Sequence, residues 1–239
     1  MRCGAARSRP TPVTDVLLPA ARPPRERKSF TIEQVHILLT VAIPKDPRPA
    51  LWLTGLMCGL RPGELTGLRW PLIDIDSDDP HLLVHERANE VNKRYVGQAA
   101  PKTSRKGAIG LHPLVVAALR RHRTEMIMLG LYDPEGFVFP TRNGTAISVS
   151  NLRRAFRRLL DRAGIPSSEW TTYELRHTFV SVVSDQLGDL TKVADLAGHS
   201  DTKTTEGYRH AVRETLHHAI SAWNSLLNDG DHDEESAAA

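Results

Sequence analysis

From residue 113 onward the chain is punctuated by Gly130, Gly164, Gly188 and Gly198, and the stretches between them carry apolar residues at helical spacing. A glycine just past the last apolar turn is a common helix stop, because it enters the left-handed conformation without a Cβ penalty. This half is therefore predicted to fold as a series of short helices over 113–129, 148–163, 172–187, 190–197, 202–210 and 213–227. Ahead of it, β-branched or alternating runs at 72–76, 82–88, 91–96 and 108–111 are separated by Asp/Pro and Lys/Gly clusters and predict a small antiparallel sheet. Further forward, Thr31 with Gln34 makes a capping box for a helix over 32–41. A helix over 48–58 stops at Gly59, and Pro62 suits the first position of a third helix with Glu64 in its first turn. A three-stranded antiparallel sheet beside a mainly helical body is an α+β architecture.

The chain has 239 residues, enough for one ordinary domain with a full core or for two small ones. Its 40% hydrophobic and 25% charged residues are those of a globular protein and exclude a fibre or a wholly disordered chain. No apolar run approaches a membrane span, and Cys3 and Cys58 make no disulfide framework, so a reducing cytoplasm fits. The net charge of +3 conceals an Arg- and Pro-rich leader over 1–28 and an acidic tail over 229–239. The leader reads as an extended linker and the tail as a frayed terminus. The core between them is mildly basic, which permits a polyanionic partner without demanding one.

Five segments carry candidate chemistry. In Gly59-Leu60-Arg61-Pro62-Gly63-Glu64, proline pushes Arg61 out of the helical region, so its guanidinium sits at a bend beside a helix N-terminus. Glu64, one turn on, can hold that fork, and the same pattern also fits a plain exposed ion pair. Pro101-Lys102-Thr103-Ser104-Arg105-Lys106-Gly107 is a basic connection between strand candidates. In Tyr173-Glu174-Leu175-Arg176-His177, Tyr173 and Arg176 share a helix face, with Leu175, Phe179 and Val182 facing the core. His199 follows Gly198 in a connection, and Tyr208 lies on the next helix. Taken singly, each of these is unremarkable.

Together, the order Arg61, Lys102, Tyr173-x-x-Arg176, Gly198-His199, Tyr208 closely resembles the catalytic domain of the tyrosine recombinases, the phage-type integrases. The supporting words are TGLMCGLRPGELTGLRW, APKTSRKGAIGLHP, TYELRHTF, LAGHS and TTEGYRH, and they span roughly residues 29–227. The resemblance implies that Arg61 and Arg176 clamp the non-bridging oxygens of a DNA phosphate, a task for which the planar guanidinium fork is suited. It makes Tyr208 the nucleophile that forms a 3′-phosphotyrosyl link, and Lys102 the acid that protonates the departing 5′ oxygen. His199 donates to a phosphate oxygen and helps place the nucleophile. One ester is exchanged for another, so the resemblance implies no cofactor: neither ATP nor a metal is needed.

The family usually has histidine where this chain has Tyr173. A phenol donates a hydrogen bond to phosphate but does not shuttle protons near neutrality as an imidazole does, so slower chemistry or a changed pH profile is expected. The family's N-terminal core-binding domain has no counterpart here, where 1–28 resembles only the linker that follows it; 29–228 reads as the catalytic domain. Arg153, Arg154 and Arg157, with Arg158 and Arg162, line the polar face of the 148–163 helix, which fits a plain solvated face; by the resemblance these and Arg105 and Lys106 are candidate phosphate contacts. Arg120, Arg121 and Arg123 form a second basic cluster. The 213–227 segment carries an apolar stripe (Leu216, Ile220, Trp223, Leu227), which the family uses to join neighbouring subunits and which fits packing on its own core equally well. The resemblance implies double-stranded DNA as partner, a homo-oligomer (a tetramer) on it, no membrane, and a cytoplasmic, nucleoid-associated location. Two other readings are a type IB topoisomerase-like strand transferase and a truncated, impaired DNA-binding remnant of an integrase.

Overall fold

The computed structural model describes residues 28–84, 86–91, 94–99, 108–187 and 220–227. The core begins at Phe30, which is buried in a face-to-face stack on Trp170 with ring centroids 4.2 Å apart. Its amide donates to the Thr178 hydroxyl at 2.9 Å. The capping box forms as the sequence predicts: Gln34 N–H donates to Thr31 Oγ1 and Thr31 N–H to Gln34 Oε1. Helix α1 (Ile32–Ile37) then widens into a π-helical stretch over Leu38–Ala42, with Ile43 N–H bonded to the Leu38 carbonyl. The Thr40 hydroxyl bonds back to the His36 carbonyl at 2.8 Å, a contact that tends to bend and open a helix.

Helix α2 (Pro49–Cys58) has Pro49 in its first turn and ends at Gly59, whose φ is 59°. Almost all of its residues are buried, so it forms the centre of the helical body and packs against helices on several sides. Helix α3 (Pro62–Gly67) follows at once. The sheet has strand order β1-β2-β5, with β1 (Ile73–Asp74), β2 (His81–Leu83) and β5 (Ala108–Gly110) antiparallel. Leu82 is paired with Ile73 on one side and Ile109 on the other, and Leu82 and Ile109 are buried.

A separate hairpin of β3 (Glu86–Val91) and β4 (Arg94–Ala99) packs against α3. The sequence pattern places strands at 82–88 and 91–96, whereas the chain turns between Val91 and Arg94, which pair across the hairpin. Only Asn92 and Lys93 lie between them. Asn92 favours turns, but without a glycine beside it the pair lacks the strongest signal for a two-residue hairpin loop.

Helix α4 (Pro113–Met128) is capped by His112, whose Nδ1 accepts the Leu114 N–H at 3.2 Å. Helix α5 (Val149–Arg162) is capped by Ser148 and ends at Gly164, φ 69°. Its buried side is Leu152, Ala155, Phe156, Leu159 and Leu160; Phe156 lies 5.8 Å from the Trp52 ring of α2. Helix α6 (Tyr173–Leu187) packs across α2. The predicted helices over 190–197 and 202–210 lie outside the described residues. The described part of the last one, 220–227, is helical and buries Ala222 and Trp223 in the chain's own core. There the Nε2–H of His112 donates to Asn224 Oδ1 at 2.9 Å. No helix among the described residues is long and apolar enough to cross a membrane.

The histidines make a pH prediction. Burial holds the imidazoles of His112 and His122 below their ordinary range, against the opposing pull of hydrogen bonds to Asn224 and to the Val138 carbonyl. Neutral forms are therefore favoured in the folded state. Their stabilising contribution is complete above the unfolded-state pKa of about 6.5 and is lost as pH falls below it toward the depressed folded values. Urea midpoints measured from pH 7.5 to 5.5 should fall, with a shallower decline in His122→Gln. A midpoint that is flat or rises over that range would contradict this.

Candidate active site

The bend between α2 and α3 organises the site. Gly59 takes the left-handed conformation and directs its carbonyl at α6, where Arg176 Nη1 donates to it at 2.8 Å. Two residues on, Arg61 has φ −64° and ψ 150°, the extended conformation that a following proline imposes. Glu64 in the first turn of α3 is 2% exposed, and its two carboxylate oxygens are divided between two donors of Arg61. Oε2 accepts the backbone N–H and Oε1 accepts Nη1, each at 2.8 Å. Burial of this carboxylate distinguishes the pair from an exposed one: a buried carboxylate must be paired to be tolerated. Arg61 keeps partial exposure while its fork is held from below.

Helix α6 supplies the second guanidinium. Glu174 is buried and caps the start of the helix by accepting the N–H and hydroxyl of Thr171 at 2.7 and 2.6 Å. Arg176 is buried, Leu175 and Phe179 enter the core, and the Thr178 hydroxyl returns to the Glu174 carbonyl. The guanidinium groups of Arg61 and Arg176 are thus both fastened to the short segment 59–64, although 115 positions separate the two residues in the chain. Tyr173 is half exposed at the first residue of α6, one turn before Arg176.

Lys102, Arg105, Lys106, His199 and Tyr208 lie outside the described residues. The residues flanking the Lys102 segment are placed: Ala99 pairs with Glu86 and Ala108 with Leu83, on neighbouring stretches of the chain. Leu83 and Val84 lie beside Leu60, Glu64 and Gly67, so the Ala108 flank of that segment stands close to the Arg61 bend.

Of the basic clusters, Arg153, Arg154 and Arg157 are exposed on α5 beside Arg158 and make no ion pair among the described residues. The second cluster has a different role. Arg123 makes a two-pronged pair with Asp76 at 2.7 and 3.0 Å, Arg120 donates to the Ile75 carbonyl, and Arg121 pairs with Glu125. These arginines fasten α4 to the β1–β2 connection and to itself, so they do not form a free cationic surface. The Gly59 carbonyl as an acceptor for Arg176 is the feature that the sequence pattern did not announce; glycine there signals only a helix stop.

The sequence profile of the Phage integrase family matches residues 29–215. The chain is 30% identical over 227 residues to an integrase of Streptomyces ambofaciens, covering 89% of this chain and 57% of that protein. It is 30% identical over 222 residues to a XerC-like tyrosine recombinase of Caldanaerobacter subterraneus subsp. tengcongensis, covering 84% of this chain and 55% of the relative. The chain therefore spans a little over half the length of these curated relatives. Among solved structures, the Tn1549 transposon integrase in complex with circular intermediate DNA superposes with a TM-score of 0.60 at 18% identity, over 81% of this chain and 68% of that one. The fold is the mainly helical α+β fold of the tyrosine recombinases. The chain belongs to the phage integrase family.

Proposed function

We propose that this chain carries the catalytic domain of a site-specific DNA recombinase, over residues 29–228, which cleaves and rejoins double-stranded DNA through a 3′-phosphotyrosyl intermediate. The observation that carries the reading is the attachment of the Arg61 and Arg176 guanidinium groups to one bend. A phosphodiester gains charge on its non-bridging oxygens as it is attacked, and guanidinium donors held in place beforehand stabilise that charge with little reorganisation. Glu64 positions Arg61. The Tyr208 phenolic oxygen attacks phosphorus and its proton passes to solvent water; the P–O5′ bond breaks, and Lys102 gives a proton to the departing 5′ oxygen. His199 and Tyr173 donate hydrogen bonds to the phosphate. The reverse sequence with a different 5′ hydroxyl rejoins the strand, so each ester replaces another and no cofactor enters the cycle.

Arg153, Arg154 and Arg157, with Arg105 and Lys106, contact the phosphate backbone and fix the protein's position on the duplex without specifying sequence. Exchange between two duplexes calls for a homotetramer on DNA, at the nucleoid in the cytoplasm. If the tetramer is joined by the C-terminal helix, Trp223 and the His112–Asn224 bond must first leave the chain's own core.

The test is incubation with a nicked suicide duplex in EDTA, followed by denaturing electrophoresis. A covalent protein–DNA adduct is expected, and it is expected to vanish in Tyr208→Phe. Site-independent relaxation of supercoiled plasmid would favour a topoisomerase, and tight DNA binding without any adduct would leave a non-catalytic binding remnant.

A further inference from the structure

We infer that Gly59 is a positioning residue for Arg176, required because no side chain can stand between the Arg61 bend and α6. The inference rests on the proposed strand-transfer reading for its consequence, and on geometry alone for its placement. Gly59 has φ 59°, a conformation that other residues reach only with strain. A Cβ built on it would lie 2.3 Å from Cδ1, 2.6 Å from Cγ and 3.0 Å from Cε1 of Phe179. These atoms belong to the body of a buried ring, so they cannot swing aside as the end of a flexible chain would.

Phe179 is three residues past Arg176 and lies on the same face of α6. Gly59 therefore meets α6 at two adjacent places. Its Cα rests against the Phe179 ring, and its carbonyl receives Arg176 Nη1 at 2.8 Å. The first contact sets how closely the bend approaches the helix, and the second converts that approach into the orientation of a guanidinium. Arg61 is two residues on, within about 7 Å of Gly59 along the backbone. A Cβ at position 59 would push the bend from α6, break the Arg176 bond and change the placement of one guanidinium relative to the other. In this account the glycine is more than a stop for α2: Gly130 and Gly164 also stop helices at positive φ, yet a Cβ on either would touch nothing within 4 Å.

The experiment compares Gly59→Ala, Phe179→Ala and the double variant in the full chain. Single-turnover adduct formation is measured at saturating suicide DNA, DNA affinity separately, and thermal stability alongside. Gly59→Ala is expected to slow cleavage by about 10²-fold, the scale of a misplacement near 1 Å, with affinity within about threefold. Removing the ring relieves the clash, so the double variant should recover most of the cleavage rate of Phe179→Ala although it is the least stable of the set. Rates that follow stability, with the double variant slowest, would overturn the inference and leave Gly59 a structural stop.

A second readout needs no activity. In arginine-labelled protein the Arg176 guanidinium resonance, identified by its loss in Arg176→Lys, should be protected in the unsubstituted chain, lose protection in Gly59→Ala and regain it in the double variant. An unchanged resonance in Gly59→Ala would overturn the inference even if the unsubstituted chain forms no adduct, a result that would count against the strand-transfer reading instead.

Discussion

Replacing Arg176 with alanine is expected to slow covalent strand cleavage by about 10²–10³-fold, the loss typical when one preorganised donor to a transition-state oxyanion is removed. Arg61→Ala should act on a similar scale, and the structure separates the two variants by their effect on the fold. Arg176 leaves behind a neutral acceptor, the Gly59 carbonyl, so Arg176→Ala should cost about 1–3 kcal/mol of stability. Arg61 leaves behind Glu64, a carboxylate 2% exposed, and stranding a buried charge costs about 3–5 kcal/mol. Partial exposure of Arg61 argues for the lower end of that range. Arg61→Ala combined with Glu64→Gln should therefore regain stability without regaining cleavage. Single-turnover cleavage with parallel urea titrations checks both statements. Cleavage within threefold of the unsubstituted chain would remove that arginine from the clamp.

The second large effect concerns stability. Trp223→Ala should destabilise the protein by about 3–5 kcal/mol, the cost of emptying a fully packed aromatic site. Trp223 is 1% exposed, and its indole nitrogen has no hydrogen-bond partner among the described residues, so the expected loss is one of packing. The His112–Asn224 bond is the polar companion of that packing, and it is too exposed on the Asn224 side to hold the helix by itself. Proteolysis should then open the chain near 220–227 ahead of global unfolding, because a docked terminal helix is the element that detaches first. A loss below about 1 kcal/mol, far under that expected for a buried tryptophan, would show that the helix is not held on its own core in solution.

Much of this fold was legible residue by residue. Thr31 with Gln34 and Pro62 mark helix starts, and Gly59, Gly130 and Gly164 mark stops, because each signal acts through a single turn of backbone. Arg61 was legible as a bend residue for the same reason, since proline acts on its immediate neighbour. The features that escaped are those joining distant segments. That Arg123 would spend its charge on Asp76 depends on how α4 lies over the β1–β2 connection, and nothing within either segment encodes the partner. The tie from Arg176 to Gly59 crosses 117 positions and ends on a backbone carbonyl, which every residue carries. The β3–β4 connection escaped because Asn92-Lys93 lacks the glycine that marks the commonest two-residue hairpin loops.

Tyr208 is the proposed nucleophile, whose phenolic oxygen forms the covalent link to DNA. The chain has four tyrosines, and only Tyr173 and Tyr208 belong to the proposed site. Trypsin separates them, placing Tyr208 in the peptide 204–209 and Tyr173 in 163–176. Mass spectrometry of nuclease-trimmed adduct, digested with trypsin, should therefore find the residual nucleotide on 204–209. A nucleotide on 163–176, or on any peptide other than 204–209, would contradict the assignment and with it the mechanism built on the two arginines.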